Sequence, residues 1–395
     1  MKYDRCQIDL TDHPFPRMLL TGRCFGVASN RFDSVGGRMS ARTTLADVAR
    51  LAGVSKTSAS MALADSSRVA RTTKATVRKA ADELGYVPHF AASALRTQRA
   101  DAVAVVLPHV AQHVFSHPVF IDLLEGISTA ANELDLSVVL STARSAEDES
   151  SAYSRITRGR QAAGVIVAAA SVHDANLDEI HEAGYPVVVV GRMARPSTVA
   201  SVGIDDIGGA IAVMRHLIEE HGAERIGHVS GPLDHQSSID KRDGYVKALA
   251  DAGLTVDPQL FFEGNYEESS GHEAAHALLP HLNNGDAVFF ANDQMAIGAI
   301  EVWRRGGLRV PEDIRVVSYD NHPMSRHATP PLTTVNADMI GVGAKALEQL
   351  HRLIHGETNL APIEFPTELI VRESCGCPKG AHAERPTPTP SEKQQ

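Results

Sequence analysis

The chain has 395 residues, of which 38 are Lys or Arg and 48 are Asp or Glu, so its net charge is −10 at pH 7. No stretch approaches the roughly 18 consecutive apolar residues of a membrane-spanning helix, which argues against a membrane protein of the helical type. The four cysteines, Cys6, Cys24, Cys375 and Cys377, are too scattered for a disulfide scaffold and are typical of a protein of the reducing cytoplasm.

Residues 1–42 show no periodic hydrophobic pattern, which predicts a divergent, disordered leader. The segment RMLLTGRCFG is too short, and is interrupted by Arg23, for a secretory signal. Met39 lies just before the segment SARTTLADVA, which leads into the first helical pattern, so a misassigned translation start is one interpretation of the leader.

Residues 43–64, TTLADVARLAGVSKTSASMALA, contain two short helical patterns on either side of Gly53. Thr44 and Ser55 are suited to cap the two helices, and Gly53 permits a sharp turn between them. The first helix has one apolar face, formed by Leu45, Val48, Ala49 and Ala52. Two helices joined by such a turn are typical of a helix-turn-helix, whose second helix enters the DNA major groove. An ordinary helical hairpin has the same pattern, and these residues alone leave both interpretations open.

The charge around this segment favours a polyanion as the partner. Between Ser40 and Ala100 there are ten Lys or Arg and four Asp or Glu, a net charge of +6 on a chain whose total is −10. A third helix is predicted over Thr73–Leu84, ending at Gly85 and Pro88. A basic module on an acidic body is the asymmetry expected of a nucleic-acid-binding segment.

The stretch TLADVARLAGVSKTSASMAL, continued by VARTTKATVRKAADELGYVPHFAASALRTQ, resembles the DNA-binding headpiece of the LacI/GalR family of bacterial transcription regulators. The order of parts is the same: a helix-turn-helix, a third helix, a GYxP motif and an Ala-rich segment ending in Ala-Leu-Arg. The resemblance implies a small all-α headpiece followed by a two-lobed α/β core with parallel sheets, like that of the periplasmic binding proteins.

The resemblance also implies which headpiece residues contact DNA. Lys56, Thr57 and Met61 take the base-contacting positions, and Thr44, Ser60 and Thr73 take phosphate-contacting positions. Met61 departs from the family, which usually has Arg there; a thioether cannot pair with guanine, so we expect a different operator base at that position.

Residues 89–100 match the family's hinge, which becomes helical on the operator. Paired hinges insert a leucine into the minor groove, and the candidate here is Leu95, flanked by Ala92 and Arg96. A simple linker is the alternative.

From Asp101 onward, short Val- and Ile-rich runs alternate with amphipathic stretches such as Phe120–Leu134 and Asp206–His221, which predicts parallel sheets built from βαβ units. The runs are 102–107, 137–142, 164–170, 186–191, 225–231, 287–293 and 314–320. The length suggests two lobes. We expect the chain to cross between them near residues 200, 330 and 355.

Ligands of such sheets bind at the carboxyl ends of the strands, where several polar residues are predicted. KRDGYVKAL, 241–249, resembles the family's R-x-x-G-[FY] signature, which implies Arg242 as the strongest ligand-binding candidate. Asn292 and Asp320 also match family positions, and Tyr266 and Arg192 are weaker candidates. Arg and Asp can each bind two hydroxyls of a polyol, and an aromatic ring can stack on a sugar or a base.

Other chemistry finds little support in the sequence. His109, His113 and His117 are spaced like zinc ligands on a helix, but they fall in a segment that aligns with the family's cleft-lining loop. Cys375 and Cys377 form a C-x-C pair without a second Cys/His cluster nearby in sequence. We therefore expect no metal, no cofactor and no catalytic residues.

The sequence predicts a cytoplasmic, dimeric, ligand-responsive repressor of carbohydrate use that binds pseudopalindromic operator DNA, with a sugar as effector and no membrane partner. Its expected parts are a leader (1–42), a DNA-binding domain (43–88), a hinge (89–100), a core (101–378) and a disordered tail (379–395). The alternatives are a regulator of purine or nucleoside metabolism, a sugar-binding protein for transport, and a nucleoside or sugar hydrolase.

Overall fold

The computed structural model describes residues 43–63, 66, 68–86, 102–145, 148–159, 162–193 and 199–378. The predicted leader, the tail and the hinge residues Ala92, Leu95 and Arg96 lie outside this part of the chain. The fold divides into two compact units on either side of His89. Within the described residues, no helix has both the length and the apolar character needed to cross a membrane.

The first unit is a three-helix headpiece made of α1 (Leu45–Leu51), α2 (Lys56–Leu63) and α3 (Arg71–Glu83). Its core is built from small side chains that let the helices approach closely: Val48, Ala49, Ala59, Ala62, Val77, Ala80 and Ala81. Gly53 has a φ of 65° and makes the turn between α1 and α2, and the Ser55 hydroxyl accepts a hydrogen bond from the Ser58 amide at 3.0 Å. The sequence prediction of a helix-turn-helix followed by a third helix is confirmed.

The second unit is a two-lobed α/β core with one six-stranded sheet in each lobe. In the first sheet the strand order is β11-β5-β4-β3-β1-β2, and all pairs are parallel. Its strands are β1 (Ala102–Val110), β2 (Ser137–Ala143), β3 (Val165–Ala168), β4 (Val187–Val190), β5 (Ala200–Ile204) and β11 (Ile363–Phe365).

The second sheet has the order β12-β10-β9-β8-β6-β7, in which only β12 is antiparallel to its neighbour. Its strands are β6 (Ile226–Ser230), β7 (Phe261–Glu263), β8 (Ala287–Phe290), β9 (Arg315–Asp320), β10 (Thr333–Asn336) and β12 (Glu368–Ile370). The central strands are buried on both faces, which explains why the sequence shows them as continuous apolar runs.

Helices cover both faces of each sheet. The helices of the core are α4 (Ala111–Ser116), α5 (Pro118–Glu133), α6 (Ser150–Gly159), α7 (Ala175–Glu182), α8 (Asp206–Arg215), α9 (Gln236–Asp251), α10 (Glu268–Leu278), α11 (Asp293–Arg305) and α12 (Met339–Ile354). α8 continues into a π-helical turn, His216–Glu220. α5 and α12 pack at close range through two glycines. A Cβ at Gly126 of α5 would lie 2.0 Å from the Ile340 carbonyl oxygen, and a Cβ at Gly343 of α12 would lie 2.3 Å from the Leu123 carbonyl oxygen.

The chain crosses between the lobes three times, and each crossing comes later than the sequence predicts. The first follows Ile204 and the second follows Asn336, because β5 and β10 still belong to the sheets that precede them. The third lies between Phe365 and Glu368. The prediction of a crossing near 355 is wrong, because α12 packs on α5 of the first lobe and β11 then pairs with β5. Short edge strands carry too weak a pattern to be located from sequence.

Candidate functional site

The headpiece presents one polar face of α2. Lys56 and Thr57 are exposed, Ser60 and Met61 are half-buried, and Ala59 and Ala62 on the opposite face are buried against α1 and α3. The three predicted base-contacting residues therefore share the side of α2 that is turned away from the headpiece core. This is the face a recognition helix must leave free for the major groove.

The predicted phosphate-contacting residues lie at helix ends and edges. Thr44 precedes α1, where the Asp47 carboxylate accepts hydrogen bonds from its amide at 3.0 Å and from its hydroxyl at 2.7 Å. These hydrogen bonds from Thr44, ahead of the charge of Arg50, lower the pKa of Asp47. Thr73 is half-buried in the first turn of α3. Thr44 thus has a capping role in the free headpiece, and its hydroxyl oxygen can still accept a hydrogen bond.

In the core, a cavity of about 230 Å³ lies between the two lobes at the carboxyl ends of the strands. Among its lining residues are four of the five predicted ligand candidates: Arg192, Tyr266, Asn292 and Asp320. Two of these, Tyr266 with φ 69° and Asp320 with φ 98°, have left-handed backbone conformations that L-residues seldom adopt. Such conformations concentrate at binding sites, where the surrounding structure imposes them.

The fifth candidate, Arg242, does not line the cavity, and its prediction is corrected to Lys241. Arg242 is half-buried and pairs with the adjacent Asp243 at 2.9 Å. In KRDGY, the position three residues before Gly244 is Lys241, so Lys241 rather than Arg242 takes the arginine position of the R-x-x-G-[FY] signature. One position along α9 rotates a side chain by about 100°, which is why one residue of the pair faces the cleft and the other faces solvent.

Lys241 is buried at the centre of a charged cluster. Its Nζ lies 3.7 Å from the Asp206 carboxylate and 4.1 Å from the centre of the Tyr319 ring. Burial lowers the pKa of Lys241, but the Asp206 carboxylate, followed by Tyr266 and Asp320, raises it above the ordinary value, so the side chain stays charged. Burial raises the pKa of both Asp206 and Asp320, and Lys241 opposes that rise. Lys241, Asp206 and Tyr319 were missed in the sequence; only the correct register of the signature would have identified Lys241.

Asn292 and the neighbouring Asp293 are largely occupied by contacts within the protein. The Asn292 side chain accepts from the Met295 amide at 3.0 Å and donates to the Tyr266 carbonyl at 2.8 Å, which fixes the loop that carries Tyr266. Asp293 accepts from the Thr334 hydroxyl at 2.8 Å and the His322 amide at 2.7 Å. Burial, and then the charge of Asp320, raises the pKa of Asp293 to about 7. Both residues shape the second lobe's side of the cleft.

Side chains from the two lobes meet around the rim of the cavity. The Arg192 guanidinium of the first lobe makes a two-pronged ion pair with Asp240 of α9, in which Nε lies 2.7 Å from the carboxylate. His113 Nδ1 lies 3.1 Å from the Glu267 carboxylate, and the rings of His109 and His235 stack with centroids 5.5 Å apart. The two lobes therefore contact one another around the cavity. His109, His113 and His117, whose spacing in sequence is that of zinc ligands on a helix, do not form a single helical face. Arg192 is held by Asp240 rather than free for a ligand.

The headpiece and the core each match a known family model. Residues 44–89 match the bacterial regulatory proteins of the lacI family, and residues 214–375 match a periplasmic binding protein-like domain. The HTH-type transcriptional regulator CelR of Thermobifida fusca is 36% identical over 337 residues, which cover 84% of this chain and 98% of that protein.

Solved structures of related regulators agree with this assignment. A complex of the transcriptional regulator CelR with cellobiose has 34% sequence identity and a TM-score of 0.66, over 84% of this chain and 100% of that one. A lac repressor dimer bound to operator and the anti-inducer ONPF has 27% identity and a TM-score of 0.76, over 85% of this chain and 99% of that one.

Proposed function

The chain belongs to the lacI family of bacterial regulatory proteins, and from that premise we propose that it is a sugar-responsive repressor of a carbohydrate-utilisation operon. It binds a pseudopalindromic operator as a homodimer, with one headpiece on each half-site. The DNA-binding domain is 43–88, the hinge 89–100 and the effector-binding core 101–378.

The observation that supports a sugar effector is the chemistry buried between the lobes. Lys241 supplies charged donors, Asp206 and Asp320 supply carboxylates that each accept two hydrogen bonds, and Tyr319 and Tyr266 supply aromatic surface. Vicinal hydroxyls of a polyol match alternating donors and acceptors of this kind, and a sugar ring matches the aromatic faces. Because the CelR relative is known as a cellobiose complex, a β-linked glucose disaccharide is the first effector to test.

In the headpiece, Lys56, Thr57 and Met61 contact bases and Thr44, Ser60 and Thr73 contact phosphates. In the hinge, Leu95 enters the minor groove with Ala92 and Arg96 beside it. In the cleft, Lys241 replaces Arg242 as the principal effector contact, joined by Asp320, and Asn292, Tyr266 and Arg192 shape the site.

Effector binding acts on DNA through the closure of the lobes. A ligand that touches both lobes stabilises one degree of closure over another, and the hinge transmits that difference to the paired headpieces. An affinity difference of about 1–3 kcal/mol between the two states of the protein changes operator affinity by roughly 5- to 150-fold.

The proposal is tested by measuring DNA binding of the full-length protein by fluorescence anisotropy. The probe is a fluorescent duplex from the region upstream of the protein's own gene. We expect specific binding in the presence of competitor DNA, and a change of at least about tenfold in affinity when cellobiose is added. Glucose, adenosine and hypoxanthine serve as comparison ligands.

The alternatives give different results. A protein that binds sugar but no DNA would be a solute-binding protein, and one that answers only to the purine compounds would be a regulator of purine metabolism. Turnover of the added disaccharide or nucleoside, followed by chromatography, would indicate a hydrolase. Each of these results contradicts the proposed function.

A further inference from the structure

Four side chains that the cleft and the headpiece do not use converge in the second lobe: His216, His221, Cys375 and Cys377. Their ligand atoms, two imidazole nitrogens and two sulfurs, all lie within 4.8 Å of one another. The pairs are separated by about 160 positions in sequence, so no local pattern brings them together. We refer to these four residues as the His₂Cys₂ cluster.

The distances within the cluster match the edges of a tetrahedron around a metal ion. The two Nε2 atoms lie 3.3 Å apart, Cys375 Sγ lies 3.3 Å from His216 Nε2, and Cys377 Sγ lies 3.6 Å and 3.4 Å from the two imidazoles. Zn–N bonds of about 2.0–2.1 Å and Zn–S bonds of about 2.3 Å at tetrahedral angles give N···N and N···S separations of about 3.3–3.6 Å. The cluster has the spacing of four donors that point at one ion.

The backbone is shaped to bring each pair of ligands to the same place. In a regular α-helix, residues five apart are rotated by about 140° around the axis, so His216 and His221 would diverge. His216 is the first residue of a π-helical turn, His216–Glu220, and His221 follows its last residue. The i→i+5 geometry of such a turn is rare overall and is often found at functional sites. In the C-terminal segment, Gly376 separates the two cysteines and has a φ of 102°, a left-handed conformation that favours glycine. A Cβ at this position would lie 3.5 Å from the His221 ring.

Burial and charge also favour a bound cation. Cys375 is fully buried and His216 is 8% exposed, while His221 and Cys377 are half-buried. The Thr333 hydroxyl donates a hydrogen bond to Cys375 Sγ at 3.0 Å, as an outer partner does for a ligating thiolate. Two thiolates and two neutral imidazoles around a divalent ion are neutral overall, so the complex can be buried without an uncompensated charge.

We propose that the His₂Cys₂ cluster is a structural zinc site that fastens the C-terminal segment to the second lobe. Four protein ligands complete the tetrahedral coordination and leave no open position for a substrate. The segment already follows β9, with the Val316 amide donating to the Ser374 carbonyl at 2.9 Å. Arg315, the first residue of β9, lies beside Gly376. The site therefore lies at the end of the sheet where the parallel strands begin. None of its four ligands lines the effector cavity.

Metal analysis of the full-length protein, produced without a polyhistidine tag, tests this assignment. We expect about one zinc ion per chain by inductively coupled plasma mass spectrometry. Replacement of zinc by Co²⁺ is expected to give the visible bands of a tetrahedral ion and the near-ultraviolet band of thiolate ligation. The cobalt spectrum is measured on the unaltered chain, so it does not depend on whether any variant folds.

Matched variants locate the ion. The double variant C375S/C377S is expected to lose the zinc, the cobalt–thiolate band and thermal stability. The double variant C6S/C24S, which removes the other two cysteines, is expected to keep all three. E267Q, in the His113–His117–Glu267 group near the cleft, is also expected to keep its zinc.

Three results would overturn the proposal. The first is a chain that holds no zinc and shows no thiolate band with Co²⁺. The second is zinc that stays in C375S/C377S or is lost from E267Q. The third is a Cys375–Cys377 disulfide in protein purified under reducing conditions. Operator binding and effector response, measured on the same samples, are independent of these readouts, because the cluster lies outside the cleft and the headpiece.

Discussion

The identity of single side chains decides which DNA base and which effector atoms this protein contacts. Met61 lies half-buried on the face of α2 that also carries Lys56 and Thr57, and it is not part of the headpiece core. An arginine at this position can bind guanine through two hydrogen bonds, worth about 1–3 kcal/mol of discrimination, whereas methionine offers a flexible apolar surface.

We expect the operator to be T-rich or poorly constrained at the base pair that faces Met61, because a thioether can pack on a thymine methyl group. Met61→Arg is expected to shift the preference toward G at that base pair, by roughly 5- to 150-fold against the other bases. Selection of sites from a random DNA library with both proteins measures this. Identical consensus sequences would show that Met61 does not contact bases.

Lys241 and Arg242 are adjacent in sequence and provide a matched pair for the cleft. Lys241→Met is expected to weaken effector binding by roughly 10- to 150-fold, because a charged hydrogen bond contributes about 1.5–3 kcal/mol. Arg242→Ala is expected to bind effector as the parent does, since Arg242 does not line the cavity and pairs with Asp243. Isothermal titration calorimetry with the identified effector compares them.

Lys241→Met also leaves the Asp206 carboxylate buried without its cation, so a lower melting temperature is expected. Adding Asp206→Asn is expected to restore stability without restoring full affinity, which separates the two effects. The assignment of Lys241 would be wrong if Arg242→Ala lost the effector and Lys241→Met retained it.

At the scale of elements, histidine rings at the end of β1 and on α4 meet the ring of His235 in the loop before α9. Burial, and then the charge of His235, lowers the pKa of His109 to about 4. Burial, and then the charge of His117, lowers the pKa of His113 to about 4. Asp234 lies beside His235, and Glu267 lies beside His113 and His117, so these carboxylates are the anions that face the four rings.

Because the folded pKa values of His109 and His113 lie below the ordinary value of 6.5, the folded, closed core favours their neutral forms. This stabilisation is complete above about pH 6.5 and is lost as the pH falls toward 4, since the open or unfolded chain then binds more protons. We expect the melting temperature of the protein to fall between pH 7 and pH 5.

The variant H109Q/H113Q is expected to flatten this pH dependence. Asp293, whose folded pKa is raised to about 7, affects stability in the same pH range with the opposite sign, because its protonation at lower pH favours the folded state. The quantity to compare is therefore the difference in melting temperature between variant and parent at each pH. H351N/H355N, which alters the neighbouring histidine pair at the end of α12, serves as the control and is expected to keep the parent's slope. Equal slopes in all three proteins would contradict the assignment.

At the scale of the whole molecule, the charges are divided between a basic headpiece and an acidic core. Residues 40–100 carry a net charge of +6, while the complete chain carries −10. DNA affinity therefore depends on a small part of the chain whose cations displace counterions from the phosphates.

We expect operator binding to be strongly salt-dependent, with a loss of about 10³-fold or more in affinity between 50 and 200 mM salt if a dimer makes six or more phosphate contacts. Titrations over this range by fluorescence anisotropy give the slope directly, and a scrambled duplex gives the non-specific baseline. An operator affinity that stays flat over this range would contradict DNA binding by the headpiece.

The sequence by itself determined the class of the molecule and most of its elements. Hydrophobic periodicity, helix caps and turn glycines depend only on residues that are close in sequence. For this reason α1, α2, α3 and all seven predicted strands of the core lie where the sequence predicts them. The short strands β5, β7, β10, β11 and β12 were not predicted, because a run of only three to five residues carries no distinct pattern.

Only the tertiary structure decided which distant side chains meet. It selected Lys241 over Arg242 for the cleft, because helix rotation turns adjacent residues to different sides. It paired Arg192 with Asp240 across the lobes, and it brought His216 and His221 to Cys375 and Cys377. A C-x-C pair is poor support for a metal when considered alone, since ligands converge through long-range packing that the local sequence does not encode.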